Sequence, residues 1–224
     1  MTRLFLLIVV LIASTAPLNA LAQNKTVPEK AGQKTEPYRL SDEKKIQTDL
    51  YVKGMNWLLP INHCPADVAG KETPKGQYNF DRCADNLSQC MAKCKKGYGW
   101  SCMNAALVSQ KLERRTIANA LFSRSCELGV ASGCTNRAAG MSAARYENQA
   151  CIKNTFRVAC ELDDAWGCTK YGAHVLESRG EERDTKKARQ ALEKACTLHD
   201  NSQPCRQAKA LIVELETELK KVTE

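Results

Sequence analysis

Aromatic residues are scarce in this sequence, with 3 Trp, 6 Tyr and 4 Phe among 224 residues. Large aromatic side chains therefore cannot supply most of a core. Several chemical motifs are absent as well: the chain has no C-x-x-C, no C-x-x-C-H, no H-E-x-x-H and no glycine-rich phosphate loop. The three histidines, His63, His174 and His199, are too dispersed to predict a zinc site. We expect no cofactor, no metal and no catalytic residues.

Long apolar runs are confined to the N terminus. Leu4 to Ala13 is apolar, follows Arg3 and precedes the small-residue sequence Ala20-Leu21-Ala22, which is the pattern of a secretory signal peptide. We expect residues 1–22 to be removed and the mature chain to be periplasmic or secreted, without a transmembrane segment. All 12 cysteines remain after cleavage, and in an oxidising compartment cysteines pair.

The next segment is polar. Residues 23–45 are rich in Lys, Glu, Thr and Pro, which predicts a flexible tether. Ser41 is an N-cap signal for a helix from Asp42 to about Lys53. Residues 46–80 are therefore expected to hold an N-terminal helix and a loop.

From Asp81 the chain repeats itself. Cysteines at 94, 126, 160 and 196 step by 32, 34 and 36 residues, and each is followed eight or nine residues later by a second cysteine. A period in the thirties is typical of a solenoid of helix hairpins, and four copies are enough to bury a continuous core. Residues 81–224 are thus predicted to form an all-α, α/α superhelical solenoid, closed by a capping helix from about Pro204 to Val222.

The cysteines fall at the end of the first helix and the start of the second helix of each hairpin, across a turn rich in Gly or Asn. Antiparallel helix ends bring such residues within disulfide range. Four bridges are therefore predicted: Cys94–Cys102, Cys126–Cys134, Cys160–Cys168 and Cys196–Cys205. Of the remaining four cysteines, Cys83 and Cys90 are expected on one face of a continuous helix, with Cys64 bonded to one of them. Cys151 is the candidate free thiol.

Basic residues gather at two junctions between hairpins. The formal net charge of +8 favours a partner of acidic character. Nucleic acid is not expected, because aromatic residues that stack on bases are not interleaved with the charge. The residues of this candidate basic binding edge are Lys111, Arg114, Arg115, Arg179, Arg183, Lys186 and Lys187. The alternative is a solvated edge whose charge is offset by nearby glutamates.

The repeats resemble a known family. Their Cys-Glu-Leu openings, Gly-Cys closings and the run Lys170-Tyr171-Gly172 are similar to Sel-one-like repeats, within the cysteine-rich secreted branch typified by the Helicobacter cysteine-rich proteins. Gly180, Asp184, Lys187, Ala188 and Ala195-Cys196 belong to the same resemblance. It implies a tetratricopeptide-like superhelix that holds other proteins. Some cysteine-rich members are described as binding or hydrolysing β-lactams, and a mitochondrial relative is linked to haem and oxidase assembly.

Three functions follow. The leading hypothesis is an exported scaffold whose first helices line a concave face that holds a protein or peptide segment. The alternative is a β-lactam-binding or β-lactam-hydrolysing protein; the S-x-x-K sequence Ser41 to Lys44 is interpreted as chance, because no S-D-N or K-T-G follows. The second alternative is a cofactor or thiol chaperone that uses Cys151.

Overall fold

A computed structural model of the chain describes residues 53–58, 63–144, 146, 148–178 and 183–223. The predicted signal peptide and tether lie outside these residues, and so does the predicted helix 42–53 apart from Lys53. All described residues belong to one compact unit.

The described residues form one short 3-10 turn and ten α-helices, with no strand among them. The 3-10 turn is Asn56–Leu58. The helices are α1 (Pro65–Val68), α2 (Phe80–Asp85), α3 (Leu87–Lys95), α4 (Gly99–Lys111), α5 (Arg115–Glu127), α6 (Ala131–Ala143), α7 (Gln149–Glu161), α8 (Ala165–Glu177), α9 (Thr185–Leu198) and α10 (Gln203–Thr223).

From α2 onward each helix packs against the next one in the sequence. The pairs α3–α4, α5–α6, α7–α8 and α9–α10 are the four hairpins, and contacts between α6 and α8 and between α8 and α10 join successive hairpins. Contacts restricted to neighbouring units define a solenoid. The predicted all-α solenoid fold is confirmed.

Turn and cap residues fix the helix ends. Gly97, Gly129, Asp163 and Asn201 follow the first helix of successive hairpins, and all four have a positive φ, between 57° and 91°. This left-handed conformation is a common way to end an α-helix. Asn148, Asp164 and Asp184 begin α7, α8 and α9, each accepting a backbone N–H bond from the residue three positions later.

Cysteine pairs close each hairpin. The Cα atoms of the four predicted pairs lie 4.3 to 4.6 Å apart. Six of these eight cysteines are wholly buried (Cys94, Cys102, Cys126, Cys134, Cys168 and Cys205). Small residues such as Ala105 and Ala120 are buried in the same core cluster as Cys94 and Cys102, where helices pack closely.

The other four cysteines pair differently from the prediction. Cys83 bonds Cys90, and Cys64 bonds Cys151, so Cys151 is not a free thiol; all 12 cysteines lie in the described part of the chain and are paired. In a continuous helix, residues seven apart lie about 10 Å from each other along the axis. Here the helix breaks at Asn86, which caps α3, and the Cα atoms of Cys83 and Cys90 approach to 5.7 Å.

Candidate functional site

The segment of residues 63–79 crosses the first three hairpins, and we call it the strap. Its helix α1 packs on α5, α6 and α7, whereas its last residues contact α4. The strap therefore runs opposite to the order of the hairpins. We predicted that the first helices of the hairpins form a face that is open to a partner. At α5 and α7 this face is covered by α1 of the strap.

Two linkages hold the start of the strap. The disulfide from Cys64 reaches Cys151 at the start of α7, with Cα atoms 5.6 Å apart. His63 Nε2 lies 3.0 Å from a carboxylate oxygen of Glu127, and the second oxygen accepts a 2.8 Å bond from Arg124. The His63 and Glu127 side chains are only 24% and 19% exposed, so this polar contact is partly shielded from water.

In its middle part the strap lies directly on the backbone of the solenoid. The Gly70 N–H donates to the carbonyl oxygen of Cys126 at 3.2 Å. A Cβ atom on Gly70 would stand 2.6 Å from the Gly129 nitrogen, and one on Gly129 would collide with the Glu72 carbonyl oxygen. Only glycine permits so close an approach of two backbones.

Side chains of α4 hold the end of the strap by its main chain. Trp100 Nε1 donates to the Pro74 carbonyl at 3.1 Å, and Asn104 Nδ2 donates to the Gln77 carbonyl at 3.3 Å. Asn104 Oδ1 also accepts the Asn79 N–H at 2.9 Å. Asn104 is buried, and sequence reasoning did not find it; a polar residue in an otherwise apolar helix segment was the available signal.

A cavity of about 400 Å³ opens where the strap meets α2, α3 and α4, and we call it the cationic pocket. Among the residues that the structure describes, its charged lining residues are Lys75 from the strap, Arg82 from α2 and Lys93 from α3, and none is a carboxylate. None of the three makes an ion pair within the described part of the chain. The remaining lining residues are Gly76, Gln77, Asn79, Cys83, Gln89, Cys90, Tyr98, Trp100, Ser101 and Asn104.

The predicted basic edge is only partly available. Lys111, Arg114 and Arg115 are exposed, and the Lys111 ammonium lies 5.2 Å from the centre of the Phe80 ring. At the other junction Arg179 lies outside the described residues and Lys186 is exposed.

Acidic neighbours offset the rest of that second junction. Arg183 pairs with Glu218, and Lys187 lies 3.0 Å from the Asp184 carboxylate. Hydrogen bonds from Lys187 lower the pKa of Asp184, and the same contact raises the pKa of Lys187. The positive field expected along this edge is therefore reduced.

A second cavity, of about 410 Å³, lies between the start of α7 and the end of α8. Lys153 and Glu177 contribute one charge of each sign to it. His174, also in its lining, stacks on Phe156 at 5.3 Å, and desolvation by burial lowers the pKa of His174. Across the described ranges no three His, Cys, Asp or Glu side chains converge to hold a metal ion.

The geometry defines the class: an all-α solenoid of disulfide-linked helix hairpins with a covalently attached strap. Comparison of the chain with protein-family profiles, curated proteins and solved structures returned no match. The resemblance to Sel-one-like repeats stays a prediction. Six disulfides are typical of an oxidising, exported environment. No helix in the described part is long and apolar enough to cross a membrane.

Proposed function

We propose that this protein is an exported scaffold, periplasmic or secreted, that binds an extended segment of a protein partner of acidic character. The signal-peptide pattern of residues 1–22 and the six disulfides support export. The resemblance to Sel-one-like repeats agrees with a binding role, and we treat membership of that family as part of the proposal.

One observation carries the proposal: the hairpins already hold a non-helical segment of polypeptide, residues 69–79 of the strap. Trp100 and Asn104 donate hydrogen bonds to its carbonyl groups, and the absence of a side chain at Gly129 lets its backbone approach closely. Contacts to main-chain groups do not depend on the side chains of the segment that is held. A partner segment would bind next to the strap, at the cationic pocket, because α1 already covers part of α5 and α7.

Site-specific photo-crosslinking tests this function. A photo-reactive residue is placed at Tyr98, which is 60% exposed beside the pocket, or at Val213 on α10, which is 61% exposed. The mature protein is then mixed with the envelope or secreted fraction of its source cells. We expect a discrete protein adduct from position 98 that is missing from position 213. Equal adducts at both positions, or none, would contradict the proposal.

The two alternatives fare differently. A cofactor or thiol chaperone that uses Cys151 as a free thiol is not supported, because that residue is bonded to Cys64. The β-lactam function rests on the resemblance alone. Ser41 and Lys44 lie outside the described residues, so this alternative depends on an assay of β-lactam hydrolysis.

A further inference from the structure

We propose that the cationic pocket binds the carboxylate groups of an acidic peptide. The inference rests on the proposed function only for the origin of the ligand, a segment of the partner protein. The charge, shape and chemistry of the pocket itself favour such a ligand.

Charge comes first. Lys75, Arg82 and Lys93 are contributed by three separate elements and line one cavity, whose described lining residues include no carboxylate. Like charges gathered around a cavity repel one another, so an anionic ligand lowers the electrostatic energy of all three. The cavity between α7 and α8 has a similar volume but pairs Lys153 with Glu177. An excess of one sign is therefore a particular feature of the cationic pocket.

The pocket also presents groups that suit a peptide. Its volume of about 400 Å³ falls within the range of small-ligand sites, and it is large enough for roughly two or three side chains. Tyr98 lines the pocket, is 60% exposed overall and offers apolar contact. The side-chain amides of Gln77 and Gln89 line the cavity without a hydrogen-bond partner in the described residues, so they can bond peptide groups. A bare inorganic anion would gain nothing from the Tyr98 ring or from the two side-chain amides.

The fold holds these groups in place before a ligand arrives. The break at Asn86 and the Cys83–Cys90 disulfide fold α2 back against α3, and this keeps Arg82 and Lys93 at the same cavity. Asn104 fixes the backbone of the strap at Gln77, two residues after Lys75. A site that is ordered in advance loses less conformational entropy on binding.

The test follows the indole N–H signals of Trp57, Trp100 and Trp166 by NMR, in the full mature protein. The probes are the tripeptide Ac-Glu-Tyr-Glu-NH2, its counterpart Ac-Gln-Tyr-Gln-NH2 and inorganic phosphate. We expect the Glu peptide to shift the Trp100 signal and leave Trp166, in the third hairpin, unchanged. The Gln peptide and phosphate should bind at least about fivefold more weakly, because each lacks either the carboxylates or the aromatic contact.

Variants locate the site. Lys93→Gln should weaken binding of the Glu peptide about three- to tenfold, which is typical for the loss of one charge-assisted contact. Lys95→Gln is the matched control, because Lys95 is exposed on the same helix and does not line the pocket. Arg82→Gln replaces Lys93→Gln if near-ultraviolet circular dichroism shows that the latter is misfolded.

Three results would overturn the inference: equal binding of the Gln peptide, equal binding of phosphate, or equal losses in the Lys93 and Lys95 variants. If position 98 crosslinks a partner and the Glu peptide does not bind, the proposed function stands and this inference fails. If the Glu peptide binds and no partner is crosslinked, the pocket chemistry stands and the proposed function fails.

Discussion

Cys64 and Cys151 are 87 positions apart in the sequence, yet their Cα atoms lie 5.6 Å apart and their sulfurs are bonded. The other five disulfides join cysteines only seven to nine positions apart. The long bridge is thus the one covalent link between the strap and a later hairpin.

This bridge should contribute more to stability than any hairpin bridge. In the chain-entropy model, closing so long a loop stabilises the fold by about 4.6 kcal/mol, and closing a loop of nine residues by about 2.5 kcal/mol. We expect the Cys64→Ser/Cys151→Ser variant to lose more free energy of unfolding in urea than Cys196→Ser/Cys205→Ser, measured without reductant. An equal or smaller loss would show that the strap is held by its other contacts.

Close packing at the hairpin turns predicts unequal effects of two glycine substitutions. A Cβ atom on Gly167 would stand 2.6 Å from the Ala159 Cβ and 3.0 Å from backbone atoms, which cannot move away. Gly167→Ala should therefore destabilise the protein by about 1–3 kcal/mol. Gly140→Ala is the control, because its Cβ would meet the flexible end of the Asn119 side chain. Thermal unfolding measures both, and a similar melting temperature for the two variants would contradict the prediction.

Much of the hairpin architecture was predictable, because its determinants are local. The paired cysteines, Gly97, Gly129 and Asn201 lie within a few residues of the turns that they form. The strap was not predictable, since its anchors at Glu127 and Cys151 are distant in sequence and no local pattern links them to residues 63–79.

The helix break was missed for a related reason. Cys83, Leu87 and Cys90 fit a continuous helical face, and that periodicity outweighed the capping signal of Asn86. The cationic pocket depends on both features. Its three cations could therefore not be assigned to one site from the sequence.

Acid should weaken the third hairpin through His174. Burial lowers the pKa of His174 below its ordinary value of 6.5, so protonation costs more in the folded protein than in the unfolded chain. The stability due to the neutral ring is fully present above pH 6.5 and is lost as the pH falls through the lowered pKa. Between about pH 7 and about pH 5 the wild type should lose more free energy of unfolding than His174→Gln. Parallel pH profiles would contradict this assignment.

The C-terminal helix offers a matched pair of leucines. Leu215 is 2% exposed, whereas Leu219, one turn later on the same stripe, is 45% exposed. Leu215→Ala should cost about 2–4 kcal/mol of unfolding free energy because it leaves a cavity. Leu219→Ala should cost less than about 0.5 kcal/mol. If Leu219→Ala instead converts a dimer to a monomer in light scattering, α10 is an association helix and not a cap.

The β-lactam alternative has a direct assay. We expect the purified mature protein not to hydrolyse a chromogenic cephalosporin above background, since Ser41 stands in a polar segment without the partner motifs of serine β-lactamases. Hydrolysis that persists after repurification and is abolished by Ser41→Ala would reverse this conclusion. Hydrolysis unaffected by Ser41→Ala would assign the activity to another residue.

The strap also limits how this array can change in length. Arrays of repeats ordinarily gain or lose whole units, because each unit contacts only its neighbours. Here a segment of fixed length joins the first hairpin, at Asn104, to the third hairpin, at Cys151. A unit inserted between them would separate the two anchors while the strap kept its length. The strap therefore fixes the spacing of the first three hairpins, whereas a hairpin added after the third would leave both anchors in place.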